Sequence, residues 1–197
     1  MASARLPLYS VVSNILFLEV TMEWQQLIME QFRRISQELE KVLEGLTADD
    51  LNHQPAPDCN SIGWLAWHLT RSHDRNITEL AAEEQAWIKD RWYLKFGRAP
   101  NAAETGVGHT SEDIAAFKSP EGRVLLEYHR AVLERIENYI NNKLSESELE
   151  REAHSPTLRT TFPVSRRLVG VISEGFQHVG QAGYVRGLLK GKGWLGR

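Results

Sequence analysis

"SIGWLAWHLTRSHDRNITEL", residues 61–80, is the stretch from which the rest of the chain can be read. Ile62, Leu65, Leu69, His73, Asn76 and Leu80 recur at three- and four-residue steps, so they share one face of a helix. Asn60 or Ser61 suits the cap, since either side chain can accept from the first unpaired backbone N–H groups. Just upstream, "TADDLNHQPAPDCNS" carries Pro55 and Pro57, which cannot continue a helix.

Working outward, three more segments repeat the pattern. Trp24–Leu46 offers Leu27, Ile28, Phe32, Ile35, Leu39, Val42 and Leu43. Pro120–Asn142 offers Val124, Leu125, Tyr128, Val132, Ile136 and Ile140. Val164–Leu189 offers Leu168, Val171, Ile172, Gly175, Val179 and Ala182, whose small members let a neighbouring backbone come close. Strict alternation is absent, so no β-hairpin is expected. Four amphipathic helices bury their stripes most simply as an all-α, four-helix bundle.

The second and third helices are separated by roughly forty residues, far more than a tight helix–helix turn needs. A connection of that length lets the two run parallel. It carries Trp87, Trp92, Tyr93 and Phe96, then a Gly/Ala/Asn stretch. The aromatic cluster is expected to dock on the bundle and wall its site, with the Gly/Ala-rich part more mobile. "HTSEDIAAF" reads as a short helix capped by Thr110 or Ser111.

Bulk properties narrow the function. The chain has 197 residues, enough for one sizeable domain, and its net charge is −3 with no long run of Lys or Arg. Clustered cations are needed to bind phosphate backbones, so a nucleic-acid partner is not expected. Cys59 is the only cysteine, which rules out an intramolecular disulfide and fits a reducing, cytoplasmic setting. Residues 1–21 are fairly apolar but broken by Ser10, Ser13, Asn14 and Glu19, too short and interrupted to span a bilayer. They read as an N-terminal appendage to a single domain over 22–197.

Chemistry concentrates in few places. Glu174 and His178 stand four residues apart on the last helix, where side chains converge. His68 lies at the edge of the second helix's stripe, between Trp64 and Ser72. A Glu and a His one turn apart can chelate a metal with a third ligand from a facing helix. The same spacing also occurs in surface pairs, and a His beside Trp can simply donate to a carbonyl. His73 reads as a packed, hydrogen-bonded histidine. His53, His109, His129 and His154 do not stand out as ligands. Arg71, Arg75 and Arg186 are of a kind usually solvated or salt-bridged, though they could hold an acidic ligand. Cys59 lacks a His partner in the sequence. No nucleophile elbow, Walker loop or dinucleotide fingerprint is present.

Four stretches together resemble the DinB/YfiT-like superfamily of metalloenzymes, closest to the branch that includes mycothiol-dependent enzymes. They are "LTADDLNHQPAPDCNSIGWLAWHLTR", "EEQAW", "GVGHTSEDI" and "EGFQHVGQAGYVRGLLKGKGW". The resemblance covers roughly Met22 to Trp194 and implies a four-helix bundle with a divalent metal, Zn or Ni, between helices. Its first ligand would be His68, from "WHL". The other two usually come from an H-x-x-x-H on the last helix; here these positions are Glu174 and His178. The implied set is two histidines and one carboxylate. The resemblance also implies a low-molecular-weight-thiol S-transferase acting on small electrophiles, with mycothiol, bacillithiol or another such thiol as co-substrate. The alternatives are a non-catalytic, stress-related metal- or ligand-binding bundle, and a structural or interaction protein without metal. A small-molecule substrate is the expected partner, with no membrane, and a homodimer is left open.

Overall fold

The computed structural model describes residues 22–156, 159–191 and 193–194. The expected appendage over 1–21 lies outside the described residues. In chain order the elements are α1 (Trp24–Leu43), α2 (Ala48–Asn52), α3 (Ile62–Ala81), α4 (Ala86–Lys89), α5 (Trp92–Lys95), α6 (Ser111–Ala116) and α7 (Gly122–Asn142). A 3-10 turn over Glu146–Glu148 leads to β1 (Glu152–Ser155), β2 (Thr160–Pro163) and α8 (Val164–Lys190). No described helix is long and apolar enough to cross a membrane.

The four long helices, α1, α3, α7 and α8, form the expected all-α bundle. α3 packs on α7 and α8, and α1 packs on the same two. Cross-helix bonds fix the directions. Arg33 pairs with Glu137 and Arg130 with Glu40, so α1 and α7 are antiparallel. Ser72 bonds Glu174 and Arg167 bonds Asn76, so α3 and α8 are antiparallel. Thr70 meets His129 midway, and Lys143 meets Glu83 just beyond both C-terminal ends, so α3 and α7 are parallel. Parallel neighbours need a long crossover, which the 82–121 segment supplies.

Local chemistry starts the helices where the sequence places them. Ser61 Oγ accepts from Trp64 N at 3.2 Å and caps α3. Thr110 caps α6 in a reciprocal arrangement with Asp113. The core runs along Phe32, Ile35, Leu39, Leu69, Tyr128, Val132, Ile136, Leu168 and Val171. Leu27 departs from its expected place in the α1 stripe: it is 53% exposed, and Met29 is buried instead.

The antiparallel β1–β2 hairpin departs from the expectation of no hairpin. Its strands are four residues each, too short for alternation to show, although Ala153 and Ser155 are buried and their neighbours exposed. It leads directly into α8 through Pro163.

α3 is buried around most of its circumference, not on one stripe alone. Arg71, expected at a solvated or salt-bridged position, is wholly buried, and its donors are all directed at named acceptors. Nε bonds the Glu104 carbonyl at 3.0 Å, Nη2 bonds Gln85 Oε1 at 2.8 Å and the Ala102 carbonyl at 3.0 Å, and Nη1 bonds Asp74 at 3.3 Å and the Tyr128 hydroxyl at 3.2 Å. Asp74 in turn accepts from Ala86 N, Trp87 N and the Tyr128 hydroxyl at 2.8–2.9 Å. Burial pushes the Asp74 carboxyl up, opposed by the Trp87 N–H, the Arg71 charge, the Ala86 N–H and the Tyr128 hydroxyl. The pair therefore ties the start and the middle of the long connection to α3. Trp87, Trp92 and Phe96 complete the attachment by packing around Tyr128.

Removing one partner of such a pair strands the other charge in the interior, which costs about 3–5 kcal/mol. Asp74→Ala is expected to lower unfolding stability by about that amount. Urea denaturation checks it; a loss well under about 1 kcal/mol would mean that the pair does not hold the connection.

Candidate metal centre

α8 approaches α1 and α3 closely enough that Gly175 has no room for a side chain. A Cβ there would lie 2.7 Å from Ile35 Cδ1 and 2.8 Å from His73 Nε2. This close approach sets the distance across which His68 on α3 faces Glu174 and His178 on α8. His73 beneath it is buried as expected, but neither ring nitrogen finds a well-formed hydrogen bond. Burial lowers its pKa to about 4, and that of buried His129 to about 3, so both are neutral near neutral pH.

His68, Glu174 and His178 are brought together. One ligand atom from each lies within 4.8 Å of the other two, and among the described residues this is the one group of three or more His, Cys, Asp or Glu so placed. Glu174 Oε1 is 3.4 Å from His68 Nε2 and 3.7 Å from His178 Nε2. Nitrogen and oxygen ligands about 2.0–2.2 Å from a tetrahedral ion are separated by about 3.3–3.5 Å, so these spacings suit a metal after a small closure.

The outward-facing atoms explain why the inner atoms are available. His68 Nδ1 makes a short hydrogen bond with the Thr105 carbonyl. A carbonyl can only accept, so Nδ1 carries the proton and Nε2 is left as the ligand atom. His178 Nδ1 bonds Gln181 Oε1 at 2.8 Å, with the same consequence for its Nε2. Ser72 Oγ donates to Glu174 Oε2 at 2.5 Å, leaving Oε1 to face inward. Trp64 stacks on His68 with ring centroids 4.7 Å apart and holds its plane. Ligand histidines in metal sites are oriented in this way by the bond their other nitrogen makes.

The charge balance points the same way. Two imidazole lone pairs directed at a carboxylate repel it unless a cation, proton or metal, lies between them. Burial works to raise the Glu174 pKa, but the neighbouring His178 and His68 imidazoles and the Ser72 hydroxyl outweigh it and hold the carboxyl well below the usual range. Burial would lower His178, yet the nearby Glu174 carboxylate and the bond to Gln181 bring it above its ordinary value.

Other residues take different places. His109 accepts from Trp64 Nε1 at 3.1 Å and faces Glu104, outside the cluster. Arg186 bonds the Val42 and Glu44 carbonyls at the end of α1. The aromatic cluster of the connection docks as expected but does not wall the centre; it lies against Tyr128. The wall over His68 is Thr105–Gly106, from the Gly/Ala/Asn stretch expected to be mobile. Gly106, at φ +90°, leaves no room for a Cβ between Trp64 and His68. Sequence reading did not assign roles to Thr105, Ser72 or Gln181. The last two stand four residues after His68 and three after His178, a spacing that could have flagged them as orienting groups.

The class of protein defined here is a four-helix bundle with a two-histidine, one-carboxylate cluster between two of its helices. The model of the DinB superfamily matches residues 31–182, and the chain belongs to that superfamily. Among solved structures it is similar to a conserved protein from Enterococcus faecalis, with 30% identity, a TM-score of 0.77, and coverage of 87% of this chain and 100% of that one. No curated protein matches the chain.

Ser72→Ala removes the hydroxyl that holds Glu174 without touching a candidate ligand atom. It is expected to weaken Zn²⁺ affinity about tenfold or more while leaving the fold intact. Competition against a chromophoric chelator measures this; unchanged affinity would show that Ser72 does not orient the carboxylate toward a metal.

Proposed function

We propose that the protein is a metal-dependent enzyme of the low-molecular-weight-thiol S-transferase type, acting on small electrophiles. The observation that carries the metal part is the convergence of His68 Nε2, Glu174 Oε1 and His178 Nε2 while each outer atom is held by a fixed partner. His68, Glu174 and His178 would hold a divalent ion, Zn²⁺ or Ni²⁺, since mixed imidazole and carboxylate donors suit either. When bound, the ion supplies Lewis acidity and lowers the pKa of a thiol that reaches it. Superfamily membership supports the metal part, and the thiol part rests on the resemblance of the quoted sequence stretches to the branch with mycothiol-dependent enzymes.

The chain's own residues prepare the site in three ways. Thr105 and Gln181 keep both imidazoles in one tautomer. Ser72 restrains the carboxylate. Trp64, stacked on His68, and Gly106, against its ring, limit water on that side. Glu174 remains partly exposed, so access is from its side of the cluster. A surface ion pair between Glu174 and His178 alone would leave the arrival of buried His68 from the facing helix without a purpose.

Co²⁺-loaded protein tests this reading by absorption. Adding mycothiol or bacillithiol is expected to produce a near-ultraviolet thiolate-to-cobalt band, and His68→Ala to abolish it through lost metal. Full Co²⁺ occupancy with no band at saturating thiol would contradict the thiol-transferase reading and leave a metal-binding bundle.

A further inference from the structure

A cleft of about 410 Å³ opens beside Glu174, on the exposed side of the cluster. Its floor and walls combine three arginines, Arg75, Arg166 and Arg167, with apolar surface from Val107, Phe162 and Val171. Three guanidinium groups thus border one small cleft.

The arginines are not equivalent. Arg167 is engaged in the fold through both Nη atoms: Nη2 bonds Asn76 Oδ1 at 2.9 Å and Glu79 Oε2 at 2.5 Å, and Nη1 bonds the His154 carbonyl at 3.4 Å. Arg75 is 6% exposed and places Nη1 on Thr105 Oγ1 at 3.2 Å, but its buried Nε has no hydrogen-bond partner. Its ion-pair partner, Glu79, is 4.0 Å away and already bonds Arg167 at 2.5 Å. A buried guanidinium N–H without an acceptor is costly, and a planar fork of donors matches a carboxylate bidentately. Arg166 lies over the Phe162 ring at 4.3 Å and is exposed at the cleft's rim.

The formal charges leave an excess. Arg75, Arg166 and Arg167 face two carboxylates, Glu79 and Glu174, and a divalent ion at Glu174 would increase the positive side further. We infer that the cleft binds the carboxylate of a small organic acid with a short apolar body, held by Arg75 and Arg166 beside the His68–Glu174–His178 centre. This names the substrate class and rests on reading that cluster as the reaction centre. The arginines orient the acid; the apolar walls take its carbon chain. Arg75 also joins the two parts, since Thr105 supplies the hydroxyl that receives its Nη1 and the carbonyl that receives His68 Nδ1.

The test is calorimetric titration with hexanoate, hexanol and inorganic phosphate, on metal-free and Zn²⁺-loaded protein. Hexanoate is expected to bind both forms, more tightly with Zn²⁺, while hexanol and phosphate bind far more weakly. Arg166→Ala, at an exposed position outside the metal cluster, and Arg75→Gln are each expected to weaken hexanoate by roughly tenfold. If Arg75→Gln fails to fold, Arg166→Ala decides. Hexanoate binding to metal-free protein would support the cleft even if no Zn²⁺ binds, which separates this inference from the metal reading. It is overturned if hexanoate binds neither form, if hexanol binds equally well, if phosphate binds instead, or if the folded arginine variants bind as wild type does.

Discussion

Arg71 and Asp74, one turn apart on α3 and buried together, hold the long connection against the bundle. Asp74 receives the first N–H groups of α4, and Arg71 grips Gln85, Ala102 and Glu104. Burying an ion pair brings little net stability, because desolvation offsets most of the attraction. What it provides here is position. With residues 102 and 104 fixed to Arg71, the carbonyl of Thr105 falls on His68 Nδ1. A structural pair at mid-helix therefore determines which nitrogen of His68 faces α8.

The second constraint is the close approach of α8 to α1 and α3 at Gly175. It brings two histidines and a carboxylate from antiparallel helices to distances near those of ligands around one ion. Each of the three is restrained from behind, by Thr105, Ser72 and Gln181. The cluster is thus oriented by groups outside it, and its residual exposure is on the Glu174 side, where the arginine cleft begins.

The bundle was legible because α1, α7 and α8 keep apolar stripes at helical spacing, and proline-containing and capped segments separate them. The parallel run of α3 and α7 followed from the length of their connection. The ligand candidates were readable from the i, i+4 pair on α8 and from the segment around His68. Other features left little trace. α3 is central and buried nearly all round, so Arg71 and Arg75 read as ordinary solvated or salt-bridged arginines and Asp74 gave no signal. The hairpin strands are too short to show alternation. The bond to His68 comes from a backbone carbonyl, which has no side-chain signature. Only folding reveals that the Gly-containing part of the connection, and not its aromatic part, lies on the centre.

The most direct measurement is calorimetric titration of metal-free protein with Zn²⁺, for wild type, Glu174→Ala and Glu174→His. The account predicts one site per chain, at least about tenfold weaker in Glu174→Ala and retained in Glu174→His, where a third imidazole replaces the carboxylate. Equal affinities for wild type and Glu174→Ala would remove Glu174 from the centre, and absence of binding to wild type would contradict the metal centre itself.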